Sequence, residues 1–428
     1  MPAERRHLAV LLLAAPSTAL AQEPLAAQEL PDLDARIQAL SEELDAARAE
    51  LGATETDAPF DKVRQRRDST LAPSTGLVDI AAEDLSLRIG GYVKMDGIHD
   101  FQRVGNASKF ATATIPVPTE DQERTTFQAR ETRLNVDVRS GFKAEAVRFF
   151  VEGDFYGAGG AFNLRHAYGE YGGLLAGQTW TTFMDLSSRP VTLDFEGPDG
   201  ALFLRQPMVR WTQAASNTTS WSLALEGASQ GVGALGGVDP NLADAPLPDL
   251  TGNLRREVGS GHLQLSGVLR KLRYEGGAGE DAVIGWGLAL SGKTPVGPRG
   301  RRLMAQLSVG EGTGEYNQAL RDDGQSDAFL GADGRLEALG NHTATVGVEN
   351  DWNADWSTTV AYSVATLDNV TGQAADVLHQ TQSTSATLLW HPTRHFLAGV
   401  EYLYGTRENN DGQRGHANRV MFSFKFFL

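Results

Sequence analysis

From Leu85 to the carboxyl end the chain alternates between apolar and polar positions. Leu85, Leu87, Ile89, Val93 and Met95 are set against Ser86, Arg88, Tyr92, Lys94 and Asp96. Leu134, Val136 and Val138 alternate with Arg133, Asn135, Asp137 and Arg139, and Val147, Phe149, Val151 and Phe155 with Arg148, Glu152 and Asp154. Leu303, Ala305, Leu307 and Val309 alternate with Arg302, Gln306 and Ser308. Successive side chains of a strand point to opposite faces, so each segment predicts a strand with one apolar and one polar face. Charges recur at mid-strand while the other face stays apolar for about ten residues, which suits a lipid-facing outside around a wet lumen. The competing reading is a large soluble sandwich with solvated charged faces.

The punctuation between strands is regular. Short polar turns fall at 140–141, 172–173, 214–217, 259–261, 294–300, 351–354 and 391–394. Longer Gly-, Asp- and Asn-rich stretches fall between them at 102–124, 182–205, 231–248, 311–340, 367–380 and 406–416. Short turns alternating with long loops predict an all-β transmembrane barrel of about sixteen antiparallel strands over 85–428, wide enough for an aqueous lumen. In the last strand Val420, Phe422, Phe424, Phe426 and Leu428 place an apolar residue at every second position. This resembles the terminal signal read by the barrel-assembly machinery of Gram-negative outer membranes, where a terminal Phe or Trp is the norm.

Ahead of the strands the period changes. Leu30, Leu33, Ile37, Leu40, Leu44, Ala47 and Leu51 recur at alternating spacings of 3 and 4, an a/d seam. The seam predicts a short parallel coiled coil joining identical subunits over 22–55, or an amphipathic helix packed on its own barrel. Residues 56–84, broken by Pro59, Pro73 and Gly76, read as a linker. Arg5 and Arg6, the apolar run 8–15 and Ala19-Leu20-Ala21 have the order of a cleaved export signal over 1–21. Export through it predicts the outer membrane of a Gram-negative bacterium, with segment 22–55 in the periplasm.

Composition trims the alternatives. The absence of Cys removes disulfides and thiol chemistry. Ten acids and two arginines lie within 22–60, so this segment carries half of the formal net charge of −16. The acidic balance argues against nucleic acid as a partner.

Strand parity assigns Arg88, Lys94, Arg133, Arg139, Arg148, Arg210, Arg255, Arg270 and Arg419 to the polar, lumen-facing side, with Arg165 beside them. Guanidinium groups hold anions through planar donor pairs, so a ring of them predicts anion preference. Alternatively, these cations pair with Asp96, Asp137, Glu152, Asp154 and Glu401 on neighbouring strands and leave little preference. Trp180, Trp211, Trp221, Trp286, Trp352, Trp356, Trp390, Tyr402 and Tyr404 lie mostly near strand ends, where they form interfacial girdles or a subunit interface. An enzyme finds little support. The one Gly-x-Ser-x-Gly match, at 227–231, is followed by a Gly-rich stretch instead of a helix, and no HExxH helix is present. No cofactor or metal site is expected. A structural barrel that anchors the envelope is a third reading.

Several stretches resemble trimeric porins, and more narrowly DcaP-type porins. They are Gly91-Tyr92-Val93-Lys94 with Asp96, Thr132-Arg133-Leu134-Asn135, and Val151-Glu152-Gly153-Asp154-Phe155-Tyr156. Leu164-Arg165-His166-Ala167-Tyr168, Gly177-Gln178-Thr179-Trp180, Gly399-Val400-Glu401-Tyr402 and Asn418-Arg419 complete the set. The resemblance implies a homotrimer of sixteen-stranded barrels, seated among outer-membrane lipid and lipopolysaccharide, that passes small anionic solutes such as dicarboxylates. A non-selective or sugar-preferring pore is the alternative. It also implies that the loop after the fifth strand, 182–205, folds inward and narrows the pore with Asp185, Arg189, Asp194 and Glu196. Its acid-leaning composition opposes a purely anionic selectivity.

Overall fold

The computed structural model describes residues 78–428 apart from 83–84, 141–146, 228, 235–244, 246, 277–278, 298–299 and 325. The expected export signal, the helical seam and all but the end of the linker lie outside the described residues.

Sixteen strands form one wall. In chain order they are β1 (Leu85–Asp100), β2 (Arg124–Gln128 continued by Arg133–Ser140), β3 (Val147–Asp154), β4 (Asn163–Tyr171), β5 (Leu174–Trp180) and β6 (Arg205–Ala214). Next come β7 (Thr219–Glu226), β8 (Asp249–Val258), β9 (Gly261–Gly276), β10 (Gly279–Pro295) and β11 (Arg301–Glu311). The wall ends with β12 (Gly340–Asp351), β13 (Trp356–Asp368), β14 (Leu378–Thr393), β15 (Phe396–Asn409) and β16 (Arg414–Phe427). Each strand pairs antiparallel with its neighbours in sequence. β1 closes onto β16, with Tyr92 opposite Phe427 and Asp100 opposite Arg419, so the wall has no free edge. A short strand, Val78–Ala82, pairs with the part of β1 that β16 does not reach.

The burial pattern is inside out. On β9, Leu263, Leu265 and Leu269 are each more than half exposed, whereas His262, Gln264 and Arg270 are at most 5% exposed. A soluble sandwich would bury the leucines; a lipid-facing band leaves them on the outside. Trp211, Trp221, Trp286, Trp352, Trp356, Trp390, Tyr402 and Tyr404 are exposed as well. Trp180 is not on such a girdle. Gly177 (φ +132°) interrupts the regular backbone shortly before it, and Trp180 packs against His166 and Phe203. Among the described residues no helix is long and apolar enough to cross a membrane.

Wall height is uneven. β3 to β5 contain 8, 9 and 7 residues, about 23–30 Å of chain, close to the apolar band of an outer membrane. β9 and β10 contain 16 and 17 residues, about 55 Å, and project well beyond it. The loop expected at 406–416 is mostly strand for the same reason: antiparallel pairing continues in water, with Glu408 bridged to Arg414 at 2.7 Å, although the lipid-facing pattern has stopped.

Two apolar cores sit at the loop end. Val232–Ala234 pairs in parallel with Ala328–Leu330, which pairs antiparallel with Leu336–Ala338. Beneath them Val232, Leu272, Tyr274, Leu330 and Leu336 pack together. Ala113, Leu320, Phe329, Leu339, Leu367 and Leu378 form a second cluster around the short helix Gln318–Arg321.

Candidate functional site

The segment between β5 and β6 crosses the inner face of the wall. Asp185 starts its single 3-10 turn, Leu186–Ser188, by accepting from the Ser187 N–H. The same carboxylate accepts from His262 Nε2 on β9 at 2.7 Å and Ser291 Oγ on β10 at 3.0 Å, and lies 3.3 Å from Arg255 on β8. Burial raises the Asp185 carboxyl, but His262 and Arg255 outweigh it and hold the group below the usual carboxylate range. Gln306 on β11 donates to the Asp185 carbonyl at 3.0 Å. Further along, Glu401 on β15 accepts from the N–H groups of Leu193 and Asp194 at 3.0 and 2.7 Å. Lys94 on β1 donates to the Leu193 carbonyl at 2.6 Å. Thr343 on β12 donates to the Gly200 carbonyl at 2.9 Å.

Apolar contacts seat the same segment. Leu193 packs with Ile98, Leu389, Leu397 and Met421, all of which face inward. Phe183, Met184, Leu202 and Phe203 pack with Val268, Ala289 and Tyr316. Gly347 on β12 makes room for Pro190, because a Cβ there would lie 2.4 Å from the proline ring. Gly197 (φ +76°) allows the Arg189 guanidinium to lie across the backbone where a side chain would otherwise stand. Asp194 accepts from the Phe110 N–H at 2.9 Å and from Arg419 at 3.0 Å. Glu196 bridges to Lys109 at 2.9 Å and accepts from Gln318. Burial and Asp322 push the Glu196 carboxyl up to about 7 against the pull of Lys109.

Of the ten cations that the sequence places on the polar face, Arg165 included, Arg139 is exposed and pairs with Asp137 at 3.0 Å, and the other nine divide into two groups. Lys94, Arg165, Arg270 and Arg419 are fully buried and held by acids. Lys94 pairs with Glu131 and lies 3.2 Å from Asp96; Arg165 pairs with Glu152 at 3.0 Å and Asp154 at 2.7 Å. Arg270 pairs with Asp249 at 3.3 Å and Asp327 at 3.1 Å, and Arg419 with Asp100 at 2.6 Å. These four tie walls and loops together, each paired with acids. The other five are half-buried. Arg148 pairs with Asp137 at 2.9 Å and Glu170 at 3.2 Å, and Arg255 with Glu257 at 2.7 Å. Arg133 lies 3.8 Å from Glu152 and 3.9 Å from Glu131, over the Tyr92 ring. Arg88 stands opposite Asp137 in register, and Arg210 lies on β6 opposite Ala224.

Parity missed three residues. Glu131 sits in the break between the two halves of β2, where alternation lapses, and gathers Lys94, Lys425 and the Tyr92 hydroxyl. Lys425 lies on the inner face of β16 and bridges to Glu131 at 3.1 Å. Arg205 marks the end of the inner segment and lies over the Trp180 ring at 4.7 Å. Glu401, expected to pair with a cation, caps loop N–H groups instead.

Residues 66–426 match the model of the DcaP outer membrane protein family. No curated protein matches the chain in sequence. The outer membrane channel DcaP of Acinetobacter baumannii superposes with a TM-score of 0.72 at 23% identity, over 82% of this chain and all of the other. An anion-selective porin from Comamonas acidovorans gives 0.58 at 9% identity, over 81% of this chain and all of the other. Salmonella typhi OmpF, in complex with daunomycin, gives 0.53 at 9% identity, over 82% and all of the other. With the closed sixteen-strand wall and its apolar exterior, these matches identify the chain as a member of the DcaP outer membrane protein family, a porin of the Gram-negative outer membrane and not an enzyme.

Proposed function

We propose that this porin passes small hydrophilic solutes by passive diffusion and prefers small anions, dicarboxylates among them. The observation that carries this reading is the set of cations on the inner face, Arg88, Arg133, Arg148, Arg210 and Arg255, together with Arg189 of the inner segment and Arg205 at the start of β6, all half-buried. Charges set in a low-dielectric wall raise the local concentration of the opposite ion. The inner segment, with Asp185, Arg189, Asp194 and Glu196, narrows the path. One relative is itself named an anion-selective porin. The second reading is a polar pore without charge preference; the many acid-paired cations favour it.

The same proposal has a homotrimer held in part by the 30–51 seam in the periplasm, export through segment 1–21, and assembly through β16 by the barrel-assembly machinery. Outer-membrane lipid and lipopolysaccharide surround the apolar band. Reversal potential across a planar bilayer under a salt gradient tests the central point. The expected sign is that of an anion-preferring pore; zero potential supports the unselective reading, and cation preference removes the proposal.

A further inference from the structure

Inside the barrel two arginines are held by ring faces and not by acids. Arg205 lies over Trp180 at 4.7 Å, Trp180 packs on Phe203 with ring centres 4.4 Å apart, and Arg189 lies over Phe203 at 4.5 Å. The four groups form one row, two neighbouring rings with a guanidinium at each end, running from β5 and β6 into the inner segment. Arg165 touches the same Trp180 at 5.8 Å, yet its donors are taken by Glu152 and Asp154. Neither Arg189 nor Arg205 forms an ion pair with a carboxylate among the described residues. Arg189 donates to the Glu196 carbonyl at 3.0 Å, and its Nε is buried without a hydrogen-bond partner. One Nη of Arg205 is likewise buried and unpartnered.

The two ways of holding an arginine differ in what they leave over. A carboxylate takes the edge donors of the guanidinium and cancels its charge. An aromatic face takes the plane, leaves the edge N–H groups unoccupied and leaves the charge in place. We infer that Arg189 and Arg205, held on the faces of Phe203 and Trp180 with no carboxylate partner among the described residues, set the charge preference of the pore, whereas the acid-paired cations set its shape. This rests on the proposed anion preference. It narrows that preference from a general basic lining to two residues, with Trp180 and Phe203 as positioning residues.

The test is ion selectivity of the full-length porin in planar bilayers under a KCl gradient. The variants are R189Q, R205Q, the double variant, W180L, and R414Q as a control. Arg414 is exposed at the loop end, paired to Glu408, and removes the same charge away from the lumen. Folding is checked independently by heat-dependent mobility on a denaturing gel. The double variant is expected to lower the chloride-to-potassium permeability ratio by about fivefold, as loss of two near-path charges dictates. R414Q is expected to leave it unchanged. W180L removes no charge, so a shift in the same direction is specific to ring-held arginine. If R205Q fails to fold, R205K keeps the charge without the stack and is expected to retain part of the preference. A folded double variant with the wild-type ratio overturns the inference. If the wild type prefers neither ion, the functional proposal fails. The inference is then still decided by whether the double variant moves toward potassium.

Discussion

At the residue scale the interior is governed by how each charge is paired. Arg419 is fully buried between Asp100 and Asp194, and its third contact is the Asn106 carbonyl at 3.1 Å. Truncation leaves two buried carboxylates without this shared partner. Arg419→Ala is therefore expected to cost about 3–5 kcal/mol, read as a fall in the temperature at which the barrel loses its compact gel mobility. Arg148→Ala is expected to cost far less, because its side chain is partly solvated and Asp137 keeps Arg139 at 3.0 Å. Sequence parity placed both arginines on the inner face. It carried no information on their partners, since Arg419 meets residues from β1 and from the inner segment, hundreds of positions away.

At the element scale the inner segment is seated on the wall by discrete attachments, and two of them predict how it responds. Any side chain at Gly347 enters the space of Pro190. Gly347→Val is expected to unseat the segment while the wall stays closed, giving higher and noisier single-channel conductance. The second attachment titrates. Asp199 is buried, accepts from Thr112 at 2.7 Å, and is pushed by burial from the ordinary 3.8 up to about 7. The seated state therefore holds the proton more tightly than the released state. Its contribution to seating is complete below about pH 4 and is lost as the pH rises through about 7. Glu196, raised to about 7, acts in the same direction. Conductance noise is expected to grow between pH 5 and about 8, and Asp199→Asn to flatten that profile. A segment that quietens on raising the pH refutes this account. None of it was legible beforehand. The stretch 182–205 shows turn residues and mixed charge, and only neighbours from distant strands and loops decide which of its acids are buried.

At the scale of the whole molecule the apolar exterior is the dominant fact. Leu265 and Leu288 are each about half exposed in the middle of long strands. An arginine at either position is expected to cost about 2–4 kcal/mol of folding free energy in lipid, measured as refolding yield into vesicles against urea. A loss as small as that of a surface mutation would mean that this face is not in the bilayer. The same exterior explains where sequence reading held and where it slipped. Alternation around Leu134, Val136 and Val138 gave β2, and the five apolar positions ending at Leu428 gave β16. Strand ends beyond the bilayer went unseen: at 406–409 polar residues on both faces leave no period to read, and toward Gly276 the apolar face turns inward, with Leu272 and Tyr274 buried opposite Lys271 and Arg273.

Period-two alternation, the spacing of turns and the closing apolar strand by themselves determined a barrel of about sixteen strands with a charged interior. They did so because lipid and water impose their pattern residue by residue on any strand between them. The tertiary structure alone decided which interior charges are spent. Lys94, Arg165, Arg270 and Arg419 are paired with acids brought from other strands and loops, while Arg189 and Arg205 rest on rings without a carboxylate partner among the described residues. Charge type is a local property of the sequence, but its pairing depends on distances of a few ångströms that exist only after closure of the wall.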